Sequence, residues 1–175
     1  MVIGWLSKIC TVLTTIIISL PIPISVTSIL SDKWNAGYKI LSEIDDFSTE
    51  NRREQRVVAE AANYIFRSGL NTFKFYDLRN KLALGKGNGN EILEEMKKIV
   101  YEEIEISHKL IPITESDNRI GYHTEAHGYK IFPEKLSWRI SEMEKLLETE
   151  FPKVENRLRN GEIPLPFYYG MEDGA

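Results

Sequence analysis

From residue 26 onward, apolar side chains recur every three or four positions, the period of an α-helix packed along one face. Ile29, Leu30, Trp34, Tyr38 and Leu41 share such a face. Ser28 or Ser31 stands where a side-chain oxygen would cap the helix start, and the pattern predicts a first helix to about Ile44. DDFSTEN interrupts the period. Ser48 or Thr49 then caps a long second helix, with Glu50 near its positive end. Its stripe is Val57, Val58, Ala61, Tyr64, Ile65 and Phe66, continued by Phe73, Phe75, Leu78 and Leu82. Gly69 is expected to kink or split it. GKGNGN is a loop by composition.

Asn90 is the predicted cap of a third helix, whose stripe is Ile92, Met96, Ile99, Val100, Ile104 and Leu110. Pro112 is expected to kink or end it, because proline removes an internal donor and crowds the preceding turn. Residues 115–132 have no period and mix polar with aromatic side chains. Pro133 suits the start of a fourth helix, where its missing N–H costs nothing. That helix carries Leu136, Ile140, Met143 and Leu147 and is expected to end near Phe151–Pro152. The expected fold is all-α: an antiparallel bundle of about four helices. The bundle spans residues 26–155, after an apolar segment 1–25 and before an extended tail or linker 156–175.

The apolar segment has two readings. Val2 to Leu20 holds one charge, Lys8, and the run ICTVLTTIIISL, interrupted by Pro21 and Pro23. A positive start and a short apolar run fit a secretory signal, with Val26 and Ser28 at the −3 and −1 cleavage positions. The same β-branched run suits a buried strand. A spanning helix needs about 20 apolar residues, so any membrane contact is confined to residues 1–20. The first reading exports the chain; the second leaves it cytoplasmic.

Composition narrows the partners. The 175 residues suffice for one domain with a core. Charged residues make up 27%, with a net charge of −4, and no basic stripe offers a footprint for nucleic acid. One cysteine, Cys10, excludes an intrachain disulfide and a cysteine-based zinc site.

Candidate chemistry concentrates in DNRIGYHTEAHGY. His123 and His127 are four apart and bracket Glu125. In HExxH the glutamate follows the first histidine directly; here it sits midway, glycines flank the motif, and His108 is the remaining histidine. No metal is therefore expected. No cofactor is expected either, since KGNGN lacks the strand, spacing and Lys-Ser/Thr ending of a phosphate loop. Asp117 suits a turn cap, and Arg119 a carboxylate clamp. Glu103 falls beside an apolar stripe and needs a partner, for which Arg79 and Arg139 are the candidates. A structural pair is favoured there over a general acid. Polar groups among aromatic rings in a glycine-punctuated loop are the usual lining of a carbohydrate site. Arg119, Tyr122, His123, Glu125, His127 and Tyr129 are the candidate ligand residues.

The stretch SDNRIGYHTEAHGYKIFPEKLSWRI resembles a segment of large bacterial glycoside-hydrolase-like proteins. There it lies in the helical region after a (β/α)8 barrel related to hexosaminidases and α-glucuronidases. NTFKFYDLRNKL, EEIEISHKLIPITESD and the residues around PIPIS and ILSDKWNAGYKIL are similar to the same region, so the resemblance covers about residues 21–155. It implies a helical C-terminal part of a longer protein, with an upstream catalytic barrel as partner and the apolar run as a remnant barrel strand. The catalytic carboxylates would lie in that barrel, and no residue here matches one. The expected function is an accessory module of a carbohydrate-active protein, non-catalytic by itself. The alternative is an exported or membrane-tethered helical interaction protein without sugar chemistry.

Overall fold

Four long helices and one short one carry the fold in a computed structural model that describes residues 21–44, 49–123 and 127–166. They are α1 (Pro21–Ser42), α2 (Glu50–Ala83), α3 (Gly89–Ser116), α4 (Pro133–Lys145) and α5 (Phe151–Arg159). A 3₁₀ turn (Asn118–Gly121) and a two-stranded hairpin, β1 (Tyr122–His123) and β2 (Gly128–Tyr129), join α3 to α4. The architecture is all-α. The segment 1–20, Cys10, Glu125 and the end of the tail lie outside the described residues.

Several boundaries differ from the sequence expectation, each for a local reason. Ser28 and Ser31, expected as caps, lie inside α1, which is described from Pro21 onward. Ser31 is mid-helix and only 3% exposed. Ile29 and Leu30, expected on the packed face, point outward instead. α2 runs unbroken through Gly69, since burial of Leu70 and Asn71 beside it outweighs one weak helix former. α2 closes at Gly85, whose φ of +62° suits a residue without Cβ.

The cap of α3 is Asn88, not Asn90: the Asn88 side chain accepts the Asn90 N–H at 3.1 Å. Pro112 removes one internal bond without ending α3, because Ile113 and Thr114 beyond it are buried. Phe151–Pro152 does not end the helical path either. A π-helical turn (Leu146–Glu150) precedes Pro152, and the path continues to Arg159. Buried Phe151 anchors that continuation, so helix extends past residue 155.

Two apolar clusters form the core. One gathers Leu78 and Leu82 of α2, Ile92, Leu93, Met96 and Val100 of α3, and Phe151. The other joins Ala61 of α2, Ile106, Leu110 and Ile113 of α3, and Leu136 of α4. Early α2 thus meets late α3, and late α2 meets early α3, which is antiparallel packing. Each fully buried leucine contributes about 1.5–3 kcal/mol against the entropy of ordering the chain. Between the clusters lies a polar layer from α2, α3 and α4.

Candidate functional site

Asp117 ends α3 and caps the 3₁₀ turn in one residue. Its carboxylate accepts the Arg119 backbone N–H at 3.0 Å and the guanidinium at 2.8 and 2.6 Å. Those bonds, the side-chain ones foremost, hold the Asp117 carboxyl down at about 2. Arg119 also approaches Glu54 of α2 at 3.5 Å. Its pKa is raised chiefly by Asp117. The carboxylates that Arg119 clamps thus belong to its own chain.

Gly121 then lets two backbone segments touch. A Cβ there would stand 1.6 Å from the Ile131 carbonyl oxygen, so no other residue fits without moving one strand. The Gly121 carbonyl accepts the Lys130 N–H at 2.8 Å. Tyr122 pairs with Tyr129 and His123 with Gly128. The tyrosine rings meet edge to face, 5.5 Å apart at 72°, and stay 47% and 48% exposed. His127 enters β2 with φ +45°, a left-handed turn conformation that histidine tolerates better than branched residues.

The two histidines therefore stand on opposite arms of a hairpin and not on one helical face. Among the described residues no group of histidine, cysteine or carboxylate side chains is arranged to hold a metal ion.

The polar layer is built from side chains of three helices. Glu103 of α3 is buried and receives the Arg139 guanidinium from α4 and the Ser68 hydroxyl from α2 at 2.7 Å. Asn71 of α2 donates to Glu103 at 2.9 Å and to Glu102 at 3.0 Å. Arg67 holds Glu102 at 2.6 Å. Of the two cations named for Glu103, Arg139 is the one at its carboxylate; Arg79 lies on α2 two helical turns past Asn71. Among the described residues no buried polar side-chain atom lacks a partner. Glu103 thus ties side chains of three helices together. Arg67, Ser68, Asn71 and Glu102 were not singled out from the sequence. The legible signal was the asparagine inside the stripe of α2, which requires polar company wherever it is buried.

A cleft of about 360 Å³ opens between α1, α2 and α3, lined by Ser31, Asn35, Asn63, Tyr64, Arg67 and Lys109 among others. None of residues 117–122 and 127–129 lines it. The Tyr64 hydroxyl donates to Glu60 at 3.3 Å. Its pKa is pushed up to about 12, by burial first and the Glu60 charge next. Lys109 sits 5.7 Å above the Tyr64 ring.

The chain matches no protein-family model, no curated protein and no solved structure.

Proposed function

We propose that this chain is a helical accessory module of a carbohydrate-active protein, non-catalytic by itself, with the 121–131 hairpin as its sugar-contacting surface. The observation that carries the reading is the Tyr122–Tyr129 pair. Both rings are half exposed although each would gain from burial. Gly121 packed under Ile131 makes their platform rigid. Edge-to-face packing leaves ring faces open, and an open ring face is what the C–H face of a pyranose stacks on. The exposed His127 supplies a hydrogen-bonding group at the same turn. Arg119, engaged by Asp117 and Glu54, supports the hairpin and does not grip a ligand. The resemblance would attach this module to an upstream barrel.

A glycan array tests the reading with the intact chain and the Tyr122→Ala and Tyr129→Ala variants. Each substitution is expected to weaken binding about tenfold, the effect of losing one stacking ring, with unchanged thermal stability. An intact chain that binds no glycan, or variants that bind as well, would end it. A second reading, a membrane-tethered interaction module, is favoured by the outward face of α1.

A further inference from the structure

α1 is amphipathic in the inverted sense. Ile22, Val26 and Ile29 stand on successive turns of one face and are 67%, 59% and 60% exposed. On the opposite side of the helix, Ser31 is buried. Trp34 and Tyr38 flank it: Trp34 donates its indole N–H to the Ala59 carbonyl of α2 at 2.9 Å. The polar and aromatic side of α1 is thus spent on α2, while Ile22, Val26 and Ile29 face away. In water this exposes a short aliphatic stripe on the first half of the helix.

We propose that this stripe lies against a lipid bilayer. The occupant follows from the sequence that runs into the stripe. From Ile9 to Ser31 no side chain is charged. A run uncharged over that length exceeds the roughly 5–6 residues of an ordinary buried strand. A protein partner would require one apolar face and would tolerate charges on the others. Lys8 bounds the run on one side and Asp32–Lys33 on the other. Among the described residues no helix is long and apolar enough to cross a membrane. α1 holds only the second half of the run, and α2 covers its other side. Its stripe therefore rests at the headgroup boundary, as amphipathic helices do. The inference is independent of the carbohydrate reading and places bilayer contact beyond residues 1–20.

Flotation of the purified full chain with phosphatidylcholine vesicles tests it, together with a fluorophore that reports water, attached at Ile29→Cys in a Cys10→Ser background and, as control, at Trp138→Cys. The chain is expected to float, with a blue-shifted and brighter probe at position 29 and an unchanged probe at 138. The triple variant Ile22→Asp, Val26→Asp, Ile29→Asp is expected to lower vesicle partition about tenfold or more, with helical circular dichroism retained. A chain that stays off vesicles, whether as monomer, dimer or bound to a protein domain, overturns the proposal. So does a probe at 29 that remains in water while the chain floats. A mature chain beginning after Ser28 overturns it as well, since the run would then be a removed export signal.

Discussion

Asn71 of α2 places its amide nitrogen 2.9 Å from Glu103 of α3, and both residues are buried. The same nitrogen lies 3.0 Å from Glu102. One asparagine thus gathers two successive carboxylates whose charges are balanced from either side, by Arg67 and by Arg139. The layer sits where the two apolar clusters meet. Sliding any of the three helices by one turn would strand a buried charge, so the layer selects a single register.

Glu103→Ala is expected to destabilise the fold by about 3 kcal/mol, because it leaves Asn71 and Ser68 without their acceptor and opens a small void. Arg139→Ala strands the buried Glu103 carboxylate with only Ser68 and Asn71 as partners, and is expected to cost at least as much. Urea denaturation of the two variants checks both the size and the order.

Two substitutions in the hairpin should act in opposite directions. Gly121→Ala forces a methyl into the Ile131 carbonyl and is expected to cost about 2 kcal/mol or more. It should also abolish exchange protection of the Lys130 amide. His127→Gly relieves the positive φ at that residue and is expected to be neutral or to stabilise by up to about 1 kcal/mol. Thermal unfolding and amide exchange read both.

Stability should fall in acid through Asp117. Its carboxyl is held at about 2 in the folded chain, against about 3.9 for a free aspartate. A depressed folded value means stability present above the unfolded pKa and lost as pH falls through the folded one. The loss attributable to Asp117 is therefore expected between about pH 4 and 2. Asp117→Asn should flatten that part of the stability profile while leaving the profile above pH 5 parallel to the parent. High salt should weaken the effect, because Arg119 is well exposed.

Tyr64 is expected to resist ionisation, with its phenol pushed up to about 12. A raised folded value means stability complete below the unfolded pKa, about 10, and lost as pH rises through about 12. Tyrosinate absorbance should show a late-titrating component that shrinks in Tyr64→Phe, the Tyr38 phenol being raised as well, by burial foremost. Glu60→Gln should bring its titration earlier, because the Glu60 charge and hydrogen bond both favour the neutral phenol.

Trp34 fastens α1 to α2 by the bond to the Ala59 carbonyl and by an edge-to-face contact with Phe66 at 5.1 Å. Trp34→Phe removes the bond and is expected to cost about 1 kcal/mol. Trp34→Ala removes the ring as well and is expected to cost about 2 kcal/mol, less than for a fully buried tryptophan because the residue is 37% exposed. Limited proteolysis should release α1 sooner in the alanine variant.

Helix-forming segments were legible because their apolar positions keep a 3.6-residue period over several turns, from Val57 to Leu82 and from Ile92 to Leu110. Local break signals were less reliable. Gly69 and Pro112 each weaken a helix by a local amount, and burial of Leu70, Asn71, Ile113 and Thr114 around them overrides it. Ser28 and Ser31 read as caps, yet both lie inside α1.

What the residues alone determine here is class and inventory: an all-α chain, a glycine-bounded polar segment rich in tyrosine and histidine, a carboxylate at 103 in need of a partner, and an uncharged run from Ile9 to Ser31. The tertiary structure alone decides the pairings. Arg139 reaches Glu103, Asn71 joins two carboxylates, Arg119 closes on Asp117 and Glu54, and Ile22, Val26 and Ile29 of α1 remain outside. The physical reason is range. A helical period is a property of neighbours in the chain and is written in their order. A partner across helices, or the lack of one for an apolar face, depends on residues dozens of positions away meeting in space.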